Sequence, residues 1–203
     1  MKLADVLQGV SLISSVPKSV ANAEIKGLAY DSRKVAPGYL FFAFPGSKTD
    51  GRQFAAQALE KGAVAVVSEA SAPNDFSGHW IRTEHGRHAL ATASGNFYNH
   101  PDRRLKIIGV TGTNGKTTTT YLIDSILRAA GLTTALVGTI EYRLAGRRLP
   151  SINTTPESLD LFEMFTELER LGGTHVTMET SSHALSLGRV YGVQFETAVF
   201  TNL

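Results

Sequence analysis

Through the first half of the chain, short apolar runs alternate with stretches whose apolar positions recur at helical spacing. Leu3, Val6 and Leu7 predict a short opening helix. Residues 25–30 read as a strand that breaks at the turn-forming pair Asp31-Ser32. After the turn signal Pro37-Gly38, the apolar run over residues 39–44 predicts a buried strand. The polar, glycine-bracketed stretch 46–51 reads as a loop. Phe54, Ala55, Ala58 and Leu59 then predict a helix that Gly62 stops, followed by a strand over 63–67 and a helix over 85–98.

The polar segment Asn99-His100-Pro101-Asp102-Arg103-Arg104 marks a boundary, because the pattern changes immediately after it. Domains are expected at 1–101 and 102–203. The second opens with a strand over 105–110. A helix over 117–130 follows, with Leu122, Ile123, Ile126 and Leu127 facing the core and Gly131 ending it. Residues 133–142 read mostly as strand. Thr155-Pro156-Glu157 reads as a helix start, with Thr155 as cap and proline at the first position. That helix runs to about residue 171 and ends at Gly172-Gly173, and strands follow at 175–179 and 198–201. The alternation predicts an α/β protein: a small N-terminal α/β domain, then part of a doubly wound, mostly parallel sheet domain.

Composition narrows the picture. With 203 residues, 42% of them apolar and 19% charged, the chain can fill a core and is neither fibrous nor disordered. The lack of cysteine excludes disulfides, Cys-ligated zinc and iron–sulfur centres. Twenty basic against 18 acidic side chains leave a net charge of +2, which makes no case for a nucleic-acid partner. No run approaches the ~18–20 unbroken apolar residues of a membrane span. The start, Met1-Lys2-Leu3-Ala4-Asp5, lacks the apolar stretch of a signal peptide. A cytoplasmic protein without membrane insertion is expected.

Candidate chemistry concentrates in Gly112-Thr113-Asn114-Gly115-Lys116-Thr117-Thr118. A loop between a buried strand and a helix start aims backbone N–H groups at one point, where the helix dipole adds positive charge. Such a loop suits ATP, with Lys116 reaching the β and γ phosphates and Thr117 holding Mg2+. The general pattern G-x-x-x-x-G-K-[ST] would put glycine where Val110 stands, so the loop, flanked by Gly109 and Gly112, is a variant.

That variant, G-T-x-G-K-[ST]-[ST], resembles the ATP loop of the Mur ligases, which build the peptide of bacterial peptidoglycan. Asp31-Ser32-Arg33-Lys34-Val35 with Pro37-Gly38 and Leu40-Phe41 resembles the N-terminal pattern of that family, and residues 46–51 resemble its G-x-x-x-D-G loop. Asn153-Thr154-Thr155-Pro156 and Met178-Glu179-Thr180-Ser181-Ser182-His183-Ala184-Leu185 resemble central-domain motifs of the MurE type. Phe200-Thr201-Asn202-Leu203 resembles the strand end leading to a D-H-L-D motif. The resemblance covers essentially the whole chain.

The resemblance implies that Tyr30, Ser32, Ser47, Lys48 and Thr49 bind the uridine and diphosphate of UDP-N-acetylmuramoyl-L-alanyl-D-glutamate. It implies that Asn153, Thr154, Thr155, Ser181 and Arg189 position the muramoyl peptide, and that Glu179 is a magnesium ligand beside Thr117. Leu187 stands where some relatives carry a glutamine contact. The implied reaction is ATP-dependent: the D-glutamyl carboxylate becomes an acyl phosphate, and the amine of meso-diaminopimelate or L-lysine displaces phosphate. Lys116 and magnesium offset the repulsion between the crowded anions.

Other readings are weaker. Asp31-Ser32 can simply build a turn. The adjacent Ser181, Ser182 and His183 cannot aim at one another as a hydrolase needs. His85 and His88, three apart, lack a third metal ligand and read as a solvated face. An unrelated P-loop kinase or ATPase has no use for Tyr30, Ser32 or Thr49. Relatives continue past the strand end into a histidine-bearing motif, a modified lysine and a third domain. The expectation is therefore a binding module that forms no amide bond alone.

Overall fold

The computed structural model describes residues 1–46 and 49–203, which fall into two compact units, Met1–Phe97 and Tyr98–Leu203. The division comes between residues 97 and 98, where the sequence pattern suggested 101 and 102. Ser47 and Lys48, two of the expected substrate contacts, lie outside the described residues.

The first unit is built on a parallel sheet of β1 (Gly27–Ala29), β2 (Tyr39–Ala43), β3 (Ala65–Ser68) and β4 (Trp80–Arg82), in that order. The apolar run of β2 is explained by its two covered faces. Phe41 and Ala43 pack with Val66 against Ala55 and Ala58 of helix α2 (Ala55–Glu60). Side chains alternate along a strand, so Leu40 and Phe42 point the other way, toward the side on which α3 (Gly86–Phe97) packs. The opening helix α1 (Leu3–Val6) lies against α3. Strand β4 has no apolar run of its own, and only its pairing with β3 reveals it.

The second unit contains β5 (Lys106–Thr111), α4 (Lys116–Ala129), β6 (Thr134–Val137), β7 (Glu141–Leu144), β8 (Arg147–Pro150), α5 (Ser158–Arg170), β9 (His175–Glu179), α6 (Ser182–Ser186) and β10 (Thr197–Phe200). Its sheet runs β10-β5-β9-β6-β7-β8, parallel through the first four strands and antiparallel in the last two pairings. The β7–β8 hairpin turns at Ala145 and Gly146, both at positive φ, as a two-residue turn demands. Alanine is a poor advertisement for that geometry, and the strand reading over 133–142 did not resolve the hairpin.

Winding positions the site. The chain crosses from β5 out to β6 through α4, then returns through α5 to β9 between them. Right-handed crossovers in opposite directions put the two helices on opposite faces. Accordingly Leu161, Phe162, Phe165 and Leu168 of α5 pack on Ile107, Val176 and Met178, while α4 contacts β5, β6 and β9 from the other side. The reversal falls beside β5 and β9, and doubly wound sheets bind ligands at the carboxyl ends of strands at such a point.

Two local expectations are corrected. Leu122 and Ile126 do not face the core: they are 60% and 68% exposed, and α4 turns Thr120 and Asp124 to the sheet instead. Thr155 does not cap a helix. Helix α5 begins at Ser158, its cap position is Glu157 without a side-chain cap bond, and Thr155 is buried against the end of β9. Among the described residues no helix is long and apolar enough to cross a membrane.

Candidate nucleotide and substrate site

The loop after β5 is shaped by its glycines. Gly112 has φ +129° and Gly115, at the cap position of α4, has φ +84°. The N–H groups of Gly115, Lys116, Thr117 and Thr118 have no intrahelical acceptor, as at any helix start. The Lys116 ammonium folds back over the loop and donates to the carbonyls of Gly112 (2.6 Å) and Thr113 (3.0 Å). The positive charge therefore sits on the loop's own rim. Thr113, Asn114 and Thr118 are exposed.

Glu179 ends β9, the neighbour of β5, and its side chain is held from three directions. Thr117 Oγ1 donates to Oε1 (3.0 Å), the Thr139 N–H donates to Oε1 (2.9 Å), and Thr139 Oγ1 donates to Oε2 (3.1 Å). Glu179 is 1% exposed. A Cβ on Gly138 would lie 2.5 Å from Oε1, so only glycine lets the end of β6 approach this closely. A buried carboxylate beside a hydroxyl at the mouth of a phosphate loop fits the hard oxygen ligands of Mg2+. That ion usually takes one or two carboxylates and completes its shell with phosphate and water. Among the described residues there is no group of three or more His, Cys, Asp or Glu that could hold a metal.

Thr155 ties the next segment to this strand end: its hydroxyl donates to the Glu179 carbonyl (2.9 Å) and accepts from the Ser181 N–H (3.1 Å). Thr154 Oγ1 meets Thr139 Oγ1 at 3.0 Å. The backbone of exposed Asn153 is pinned by the Tyr142 hydroxyl, which donates to its carbonyl and accepts from its N–H. Ser181 caps α6 by accepting from the Ala184 N–H (3.1 Å). Arg189 is committed to Glu157 (3.0 Å) and the Thr155 carbonyl (3.0 Å). Of these, Asn153 presents the most exposed side chain, whereas Thr155 and Arg189 chiefly hold the segment in place.

In the first unit, the buried Ser32 donates its hydroxyl to Gln57 Oε1 (2.7 Å) and its carbonyl accepts from Lys61 (3.0 Å). Tyr30 stacks on Phe44 with ring centres 6.3 Å apart, and the Arg87 guanidinium lies 4.6 Å from the centre of the Phe44 ring. These groups gather at the carboxyl ends of β1 and β2 and the start of α3. The exposed Thr49 belongs to the loop that follows β2, and its carbonyl accepts from Gly46 (2.9 Å). His85 and His88 stack at 3.9 Å, and burial, with His85 beside it, lowers the His88 pKa.

Comparison with known proteins shows the family of the chain. The family model described as "Mur ligase middle domain" matches residues 110–203, and "Mur ligase family, catalytic domain" matches 24–98. A UDP-N-acetylmuramoyl-L-alanyl-D-glutamate–2,6-diaminopimelate ligase of Solibacter usitatus is 64% identical over all 203 residues. This chain belongs to the Mur ligases. The same-named ligase of Caldanaerobacter subterraneus is 44% identical, again over the whole chain. A solved structure of a ligase of that name aligns with 100% of this chain at TM-score 0.80 and 27% identity. A MurF ligase from Thermotoga maritima, solved in complex with ADP, shares the fold at TM-score 0.59 and 21% identity. The chain spans 41% of the Solibacter protein, 42% of the Caldanaerobacter protein and 40% of the solved ligase.

Within this Mur ligase chain, three groups beside the loops carried no distinct signal in the sequence. Thr139 holds both oxygens of Glu179, yet it is one threonine after a short strand. Arg87 was hidden in a helix start. Thr201 and Asn202, which follow β10, stand in the sequence only as part of a motif, but the structure sets them against the loop of residues 112–115.

Proposed function

We propose that this chain is the nucleotide- and UDP-sugar-holding portion of an ATP-dependent ligase that extends UDP-N-acetylmuramoyl-L-alanyl-D-glutamate with 2,6-diaminopimelate in the cytoplasm. The observation that carries the reading is the meeting of Thr117 with Glu179 at the mouth of the loop that bears Lys116.

On this reading the N–H groups of residues 115–118 and the Lys116 ammonium grip the phosphates. Lys116 then exchanges two loop carbonyls for phosphate oxygens, and each charge-assisted bond contributes about 1.5–3 kcal/mol. Thr117 and Glu179 hold Mg2+, and the Thr139 bonds fix the carboxylate so that its lone pairs need no reorganisation. Bound Mg-ATP supplies the phosphoryl group that activates the glutamyl carboxylate for attack by an amine. Asn153, Thr154, Thr155, Ser181 and Arg189 form the frame for the muramoyl peptide, with Arg189 acting through Glu157 and the Thr155 carbonyl. In the first unit Tyr30, Ser32 and the loop through Thr49 receive the uridine diphosphate. Ser47 and Lys48, which lie outside the described residues, belong to the proposal by resemblance alone.

Relatives that bear the name of such a ligase are more than twice as long as these 203 residues, which are read as the part that holds substrate and nucleotide. Titration calorimetry with UDP-N-acetylmuramoyl-L-alanyl-D-glutamate tests the reading. Saturable one-to-one binding is expected, and absence of binding overturns the assignment of the first unit.

A further inference from the structure

The nucleotide loop is gripped from outside by the end of β10. Asn202 Oδ1 accepts from the Asn114 N–H (3.0 Å), and Asn202 Nδ2 donates to the Asn114 carbonyl (3.1 Å). The same carbonyl accepts from Thr201 Oγ1 (2.6 Å), and the Asn202 carbonyl accepts from the Thr113 N–H (3.2 Å). We propose that Thr201 and Asn202 are positioning residues for nucleotide binding, a clamp that fixes the loop in its phosphate-receiving shape. The inference rests on the loop's reading as the ATP site.

Three arguments support the clamp. A carboxamide carries a donor and an acceptor side by side, so one Asn side chain can engage both the N–H and the carbonyl of a residue. Asp would supply only the acceptor, and it would bring negative charge toward the phosphates. Next, the loop carbonyls are turned to the rim: Lys116 takes those of Gly112 and Thr113 until it moves to phosphate, and the clamp keeps that of Asn114 throughout. With the carbonyls tied back, the N–H groups of residues 115–118 face the anion without competing acceptors. Finally, the clamp accounts for the unusual glycine pattern. A Cβ on Gly112 would lie 2.3 Å from Thr201 Oγ1 and 2.8 Å from the Asn202 carbonyl oxygen. Glycine is thus needed at 112 to admit the end of β10, and position 110 is free to be a buried valine in β5.

The test uses the 203-residue chain with Mg-ADP as probe, and amide hydrogen exchange as a readout that needs no nucleotide. In Asn202→Ala, the Asn114 amide should exchange at least about tenfold faster while Met178 in β9 stays protected. Mg-ADP affinity should fall about tenfold, the equivalent of one or two ordinary hydrogen bonds. Thr201→Ser keeps the hydroxyl and should bind as wild type, whereas Thr201→Val should weaken binding, with both variants melting near the wild-type temperature. Unchanged Asn114 exchange in Asn202→Ala, or wild-type affinity in both Asn202→Ala and Thr201→Val, overturns the clamp. A wild-type chain that does not bind Mg-ADP instead contradicts the nucleotide reading on which it rests.

Discussion

Glu179 shows how much one side chain depends on its neighbours. Its carboxylate is placed by Thr117, by both donors of Thr139, and by the bare face of Gly138. If Glu179 holds magnesium as proposed, Gly138→Ala should act on the metal without touching the proposed phosphate contacts. The added methyl displaces Oε1, and disturbing a group that orients a ligand typically costs about 10- to 100-fold in metal affinity. Mg2+ should then lose most of its effect on ADP affinity in Gly138→Ala and Glu179→Gln, while metal-free ADP binding stays near wild type. Calorimetry with and without Mg2+ checks this, and a Gly138→Ala protein with the full magnesium effect contradicts it. The roles at this scale were unevenly legible. Glycine-Lys-Thr announces a phosphate loop because few other structures need that order. Thr155 reads equally well as a helix cap, and only the fold shows it bridging the end of β9 to Ser181.

At the scale of elements, α4 carries the clearest lesson. Its apolar residues Leu122, Ile123, Ile126 and Leu127 suggest an inward stripe, yet Leu122 and Ile126 are exposed, Ile123 and Leu127 are half-buried, and the fully buried positions are Thr120 and Asp124. The reason lies in strands the helix cannot foretell. Asp124 accepts from Thr134 Oγ1 (2.6 Å) and pairs with Arg143 (2.9 Å), whose other nitrogen meets Glu141 (2.5 Å). A buried charge is tolerated only with such partners, and periodicity alone cannot see partners that arrive from β6 and β7. Asp124→Ala leaves Arg143 with half its pairing, and breaking a buried pair costs about 3–5 kcal/mol. The second unit should lose about that much stability in chemical denaturation, and a loss below 1 kcal/mol contradicts the account. Glu141 adds a pH dependence. The Arg143 hydrogen bond holds its carboxyl below the usual value, outweighing desolvation, and the Tyr121 hydroxyl helps. The unfolded chain therefore binds the proton more readily than the folded one. The stabilisation is complete above pH 4.5 and is lost as pH falls below it. Glu141→Gln should flatten this acid limb while lowering stability at neutral pH.

For the whole molecule, the alternation of strands and helices and the change of pattern near residue 100 make an α/β chain of two units legible from sequence. The strand order is not legible, because β9 inserts between β5 and β6 through contacts between residues distant in the chain. That insertion is what brings Glu179 beside the loop of Lys116. The net charge of +2 agrees with a local grip on phosphate in place of a broad positive field. The central claim is that this grip binds Mg-nucleotide through Lys116. Its most direct test is calorimetric titration of a non-hydrolysable Mg-ATP analogue into the 203-residue chain and its Lys116→Ala variant. Saturable one-to-one binding by the wild type, lost in the variant, is the predicted result; no binding by the wild type, or equal binding by both, would contradict it.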